Sequence, residues 1–177
     1  MGLGNPGRRY RDTRHNAGFM AAEKILERSE LLAEGSWPLG RLALVKSGAL
    51  KVFVLEPLTF MNESGRAVAP VVRRYGLETG RLIVLHDDID VPPGDVRVKR
   101  GGGTAGHQGL NSLVEVLGSG GFSRVRIGVG RPPGKMDPAD YVLSAFSEEE
   151  REGSLAAINR AADLALQVAS EVAGEEI

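Results

Sequence analysis

The chain has no cysteine. Disulfide scaffolds, thiol nucleophiles and cysteine-ligated zinc are therefore excluded. Long apolar runs are missing too, and none approaches the roughly 18 residues a membrane span needs. The opening residues, MGLGNPGRRY, lack the apolar stretch of a signal peptide. These two absences make the cytoplasm the expected compartment, with no membrane partner. No repeat, low-complexity tract or long linker divides the chain. Its 177 residues, 42% hydrophobic and 25% charged, suffice for one buried core, so residues 1–177 read as a single domain. A monomer is expected.

A net charge of −1 conceals a division. Residues 1–135 hold 20 Lys+Arg against 13 Asp+Glu, and residues 136–177 hold 2 against 10. Between 97 and 135, seven cations (Arg97, Lys99, Arg100, Arg124, Arg126, Arg131, Lys135) face one acid, Glu115. Such a segment suits either a polyanionic partner or a merely solvated surface. Arginine outnumbers lysine 17 to 5, which fits bidentate phosphate contacts or codon usage.

Apolar and β-branched runs at 41–47, 51–55, 82–86, 96–99 and 124–129 predict strands. The first two, joined through Ser47-Gly48-Ala49, predict a hairpin. Helical periodicity covers 15–30, through Phe19, Ala22, Ile25 and Leu26, with Thr13 as N-cap. It recurs at 107–117, through Leu110, Leu113, Val114 and Leu117, closed by Gly118. A capping box at Ser147 and Glu150 opens a helix through Leu155, Ile158, Ala162, Ala165 and Val172. Residues 64–75 are also helical in pattern, although Pro70 inside costs about 3 kcal/mol unless the helix starts late. Strands interleaved with helices predict an α/β fold: a single-domain α/β/α sandwich, its twisted mixed sheet flanked by helices.

Several motifs mislead. Gly2, Gly4 and Gly7 match a dinucleotide fingerprint, but that motif needs a strand before it, and only Met1 stands there. Gly134-Lys135 is followed by Met136, so there is no Walker pattern. His86 with Asp87, Asp88 and Asp90 has the ligand types for a divalent ion, yet strand alternation sends Asp87 and Asp88 to opposite faces. The alternative is a strand end capped by turn-forming aspartates before Pro92-Pro93. No metal and no cofactor are expected.

The other two histidines carry more. His15 lies in the polar run Asp12-Thr13-Arg14-His15-Asn16 at a loop-to-helix junction, as a bystander or as a base. His107 follows GGGTAG and opens a helix beside Gln108. There, free backbone N–H groups hold an anion, or a glycine-rich lid moves. Asn62 is a plain helix cap or, facing a cleft with Asn5 and His15, an amide donor to a developing oxyanion.

Six segments lie in order: GLGNPG at 2–7, Tyr10 with TRHNAG at 13–18, TFMNESG at 59–65, HDDID at 86–90, GGGTAGHQGL at 101–110 and RIGVGRP at 126–132. Together they resemble the bacterial peptidyl-tRNA hydrolase family, over residues 1 to about 145. The resemblance implies hydrolysis of the ester joining a peptide to the terminal ribose of tRNA, without metal, so that tRNA from aborted translation is recycled. It implies that His15 activates water and that Asp87 orients it. Asn5 would read the backbone of the substrate, while Tyr10, Phe60, Met61 and Asn62 contact it. His107 and Gln108 would bind substrate as well, Gln108 standing where the family commonly has Asn. Lys99 and Arg126 would clamp phosphates of the acceptor stem. Family members usually carry several apolar residues before the first glycine motif. Met1 alone therefore implies a stunted first strand or a start further upstream. The alternative is a non-catalytic RNA-binding relative of the same fold, which would tolerate loss of His15, Asp87 or Asn62; all three are present. A further rival, an amide or nucleoside hydrolase, would act without RNA and without salt sensitivity.

Overall fold

The computed structural model describes residues 1–174. In chain order they form α1 (Ala17–Arg28), β1 (Glu30–Trp37), β2 (Gly40–Ser47), β3 (Leu50–Pro57), α2 (Ser64–Tyr75) and β4 (Ile83–Asp88). β5 (Val96–Arg100), α3 (Gln108–Leu117), β6 (Ser123–Gly128), α4 (Pro138–Val142) and α5 (Glu148–Gly174) follow.

β1, β2 and β3 pair antiparallel. In the second sheet β6 is central, parallel to β4 and antiparallel to β5. Residues 1–3 lie in the seam between the two. Gly2 N donates to Leu55 O of β3 at 3.1 Å, while Leu85 N of β4 donates to Met1 O at 2.9 Å and Leu3 N to Leu85 O at 3.0 Å. The mixed sheet is thus two three-stranded halves stitched by residues 1–3.

Helices cover both faces. Alternation along β4 turns Leu85 toward α1 and α5, whose Ala21, Ile25, Ile158 and Ala162 share its apolar cluster. It turns Val84 toward α2 and α3, with Val68, Leu110 and Leu113. Burying each Val, Leu or Ile side chain contributes about 1.5–3 kcal/mol. The seam tolerates no side chain on its glycines. A Cβ on Gly18 of α1 would lie 2.3 Å from Leu85 O, and one on Gly2 would lie 2.4 Å from Gly18 O. Gly2 and Gly4 of the apparent dinucleotide motif therefore serve close packing against α1, a Cβ on Gly4 lying 2.5 Å from the Phe19 ring, whereas Gly7 has open space around it and a φ of 106°.

The hairpin and the five expected strands are present, and the capping box is real: Ser147 N donates to Glu150 Oε2 at 2.7 Å and Glu150 N to Ser147 Oγ at 3.3 Å. Four expectations need correction. β1 was not anticipated, because nearly all its residues face solvent and its sequence does not alternate. Accordingly α1 stops at Arg28 rather than 30. Its N-cap position is Asn16, whereas Thr13 uses its hydroxyl on Tyr10 O at 2.7 Å. Leu155, expected on the inner face of α5, is 50% exposed. Finally, α2 does not start late: Pro70 sits in its interior and leaves the carbonyl of Arg66 without its helical partner.

Candidate active site

β4 ends by delivering two aspartates in opposite directions. Asp88 turns to β6, where Arg126 Nε donates to its Oδ2 at 2.8 Å. Asp87, 2% exposed, turns toward the starts of α1 and α3. There its Oδ1 meets His15 Nδ1 at 2.8 Å and His107 Nε2 at 3.0 Å. His15 stands in a 3-10 turn, Arg14–Asn16, that runs into α1. His107 is the N-cap of α3, and its Nδ1 accepts from Gly109 N at 3.1 Å and Leu110 N at 3.4 Å.

That cap fixes the proton. Since Nδ1 of His107 receives two backbone N–H groups, its hydrogen is on Nε2, which donates to Asp87. His15 likewise donates its Nδ1–H to Asp87, since an ionised carboxylate only accepts. Burial alone would push the Asp87 carboxyl up. The attraction of His107 and His15 and their hydrogen bonds outweighs burial and holds it far below the carboxylate range. His86 is the third ring of the cluster, its centroid 5.0 Å from that of His107 in an edge contact. Its Nδ1 donates to Asp87 O at 2.6 Å, and its buried Nε2 has no partner among the described residues. Burial, then repulsion from His107, lowers His86 to about 3, so it is neutral.

These groups open on a cleft of about 710 Å³. Asn5 is 7% exposed on its wall. Its N donates to Asn16 Oδ1 at 2.9 Å, its carbonyl accepts from Asn16 Nδ2 at 3.0 Å, and its Oδ1 accepts from Met61 N at 2.8 Å. The Asn5 Nδ2 donors have no partner among the described residues. Met61 and Asn62 form a 3-10 turn before α2. Asn62 is exposed and lines the cleft; the α2 cap position is Glu63, so Asn62 is no helix cap. Phe60, 52% exposed, supplies an apolar lip, and Gln108 at the start of α3 lines the same cleft. His15, Asp87, Asn5, Phe60, Met61, Asn62, His107 and Gln108 are thus brought together.

Tyr10, Lys99 and Arg126 lie outside the cleft walls. The Tyr10 hydroxyl accepts from Arg9 Nη2, and that guanidinium covers its ring at 4.5 Å. Antiparallel pairing sets Lys99 opposite Arg124 and Arg97 opposite Arg126, so all four cations project from one face of β5 and β6. Lys99 is exposed, whereas Arg126 is tied to Asp88.

The nitrogen and oxygen atoms of His15, Asp87 and His107 lie within 4.8 Å of one another, close enough to suggest a metal. The donor set does not fit one. A metal on His107 Nε2 would move the proton to Nδ1, against the two N–H groups it accepts. The quartet His86, Asp87, Asp88 and Asp90 does not converge either, because Asp88 pairs with Arg126 and Asp90 with Arg131.

Two supporting residues went unnoticed in the sequence. Asn16 clamps the backbone of Asn5 from both sides. Arg14, 6% exposed, binds Glu150 Oε2 at 2.5 Å and Ala145 O at 2.9 Å, fixing the turn that presents His15. Their place beside His15 in one polar run was the available signal.

A family model for peptidyl-tRNA hydrolase matches residues 1–176. The chain is 45% identical over 162 residues to a peptidyl-tRNA hydrolase of Syntrophomonas wolfei, covering 92% of this chain and 87% of that protein. It is 47% identical over 174 residues to one from Geobacter metallireducens, covering 93% and 84%. The crystal structure of peptidyl-tRNA hydrolase from Acinetobacter baumannii superimposes with a TM-score of 0.89 at 32% identity, covering 98% of this chain and 89% of that one. Likeness in sequence and likeness in fold both run nearly end to end, and the chain belongs to the peptidyl-tRNA hydrolase family.

Proposed function

We propose that His15 is the base with which this peptidyl-tRNA hydrolase activates water against the ester of its substrate. The observation that carries this reading is the shared Asp87 oxygen. It holds His15 by Nδ1–H, so the Nε2 lone pair is left for a water proton. Water gives that proton to His15 Nε2 as its oxygen bonds to the ester carbonyl carbon. The carbonyl oxygen then carries a negative charge, which an Asn62 amide N–H from the cleft wall stabilises. When the tetrahedral intermediate collapses, the bond to the ribose oxygen breaks, and His15 returns the proton to that leaving oxygen. A positioned base contributes about 10²–10⁴ in rate and one oxyanion donor about 10²–10³.

Around this centre, Asn5 reads the peptide backbone through Nδ2, and Phe60, Met61, His107 and Gln108 shape the peptide site. Tyr10 contacts substrate beyond the cleft walls. Lys99 and Arg126 bind acceptor-stem phosphates, which gives affinity without reading sequence. No helix among the described residues is long and apolar enough to cross a membrane. The chain works as one domain, 1–177, as a monomer in the cytoplasm. The test is release of N-acetylaminoacyl groups from tRNA by the purified protein, with unblocked aminoacyl-tRNA as control. His15→Ala should lower turnover by at least about 10²-fold while tRNA still binds. Near-normal turnover would remove His15 as the base.

A further inference from the structure

The segment 101–106 joins β5, which carries Lys99, to His107, which anchors Asp87. Its Thr104, Ala105 and Gly106 wall the cleft. Four of its six residues are glycine, the residue that loses most freedom on ordering. Gly101, Gly102, Ala105 and Gly106 adopt φ of 63, 90, 50 and 79°. For Ala105 this left-handed conformation is strained, because its Cβ crowds the backbone. Something must hold such a loop in one shape.

Arg124 of β6 does so from beneath. It is 3% exposed; Nη1 donates to Gly103 O at 2.5 Å and Nη2 to Gly102 O. The planar fork matches two consecutive carbonyls. Among the described residues no carboxylate pairs with it: Arg126 repels it, and Asp88 is already taken by Arg126. Its Nε has no partner among the described residues, and its guanidinium lies 5.2 Å over the Phe122 ring. A buried cation without a counter-ion is a costly way to pack a sheet, so stability alone does not account for it.

We infer that Arg124 is a positioning residue for hydrolysis. It latches Gly102 and Gly103 so that the cleft wall and the His107 cap are set before substrate arrives. It reaches neither the ester nor a phosphate.

Arg124→Lys keeps the charge and loses the fork. We expect kcat/KM to fall roughly ten- to a hundredfold, by the same factor on peptidyl-tRNA and on a short N-acetylaminoacyl ester that lacks the acceptor stem. The slope of log K for tRNA against log salt should not change, since no phosphate contact is lost. Amide exchange in 101–106 should quicken. Adding Gly103→Ala should recover part of the activity. A Cβ there meets nothing within 4 Å and the φ is not positive, so alanine only removes loose loop states. A slope flattened by nearly one unit, or a loss confined to tRNA, would make Arg124 a phosphate ligand and overturn the latch. A lowered Tm with no rescue would leave it a core residue only. Should Arg124→Lys not fold, Gly102→Ala tests the latch from the loop side, because its new Cβ would lie 2.9 Å from Lys99 Cε at φ 90°. Turnover of the short ester, in which Lys99 has no part, must then fall. Unchanged turnover overturns the proposal.

Discussion

His107 Nε2 lies 3.0 Å from Asp87 Oδ1, the same oxygen that takes the Nδ1–H of His15 at 2.8 Å. One oxygen therefore orients both rings, and an uncharged oxygen in the same place would still orient them. Asp87→Asn keeps a carbonyl oxygen there and loses the negative charge beside His15. Asp87→Ala loses charge and anchor together. Turnover should drop about 10–10²-fold in the first and at least about 10²-fold further in the second. Equal losses in single-turnover hydrolysis would mean that charge alone matters.

His107 performs two tasks with two nitrogens, and they can be separated. His107→Ala removes both the α3 cap and the donor to Asp87. It should cost about 1 kcal/mol of stability and slow turnover. Asparagine is a good N-cap with a shorter reach. His107→Asn should therefore restore Tm nearly to wild type while turnover stays low. Recovery of both together would show that the ring matters only as a cap.

Much of the architecture is legible in the sequence. Five strands, the hairpin and the Ser147–Glu150 box follow from periodicity and local chemistry. β1 was not legible, because a strand whose Leu31 is 54% exposed has no inner face to print alternation on the sequence. The site was only partly so. Residue types alone left His15 as a bystander or a base, and its partnership with Asp87, 72 positions away, came from the family resemblance. The His107 proton depends on ring orientation, which no spacing encodes. Arg124 read as one cation of a basic strip, yet its fork is spent on two carbonyls.

The neutral His86 makes stability fall with acid. In the unfolded chain this ring protonates near its ordinary 6.5, while in the fold burial lowers it to about 3. Between these values the unfolded chain binds a proton that the native one does not. Native stability is thus full above pH 6.5 and declines as pH drops toward 3, by ~1.4 kcal/mol per pH unit from this group. The depressed Asp87 acts in the same direction at lower pH still. Urea midpoints measured from pH 7 to 4 should slope accordingly, and His86→Asn, which keeps an N–H for Asp87 O, should flatten the slope. An unchanged slope in the variant would place the acid sensitivity elsewhere.

Lys99 and Arg126 share the cationic face but differ in freedom, and that separates affinity from fold. Phosphate contacts are equally strong in ground and transition states, so losing one raises KM and leaves the chemical step nearly intact. Lys99→Ala should do only this, and should flatten the dependence of log K on log salt by somewhat under one unit. Arg126→Ala should weaken tRNA binding too, but it also strips Asp88, 8% exposed, of its partner. An unpaired buried acceptor costs about 1–3 kcal/mol, so this variant alone should melt earlier. Arg73→Ala and Arg74→Ala, on the exposed side of α2, should alter neither quantity. Titrations at several salt concentrations, paired with the short ester, read all three effects. If the Lys99 variant loses as much activity on the short ester as on tRNA, this lysine supports the cleft rather than gripping a phosphate, and the clamp reading fails.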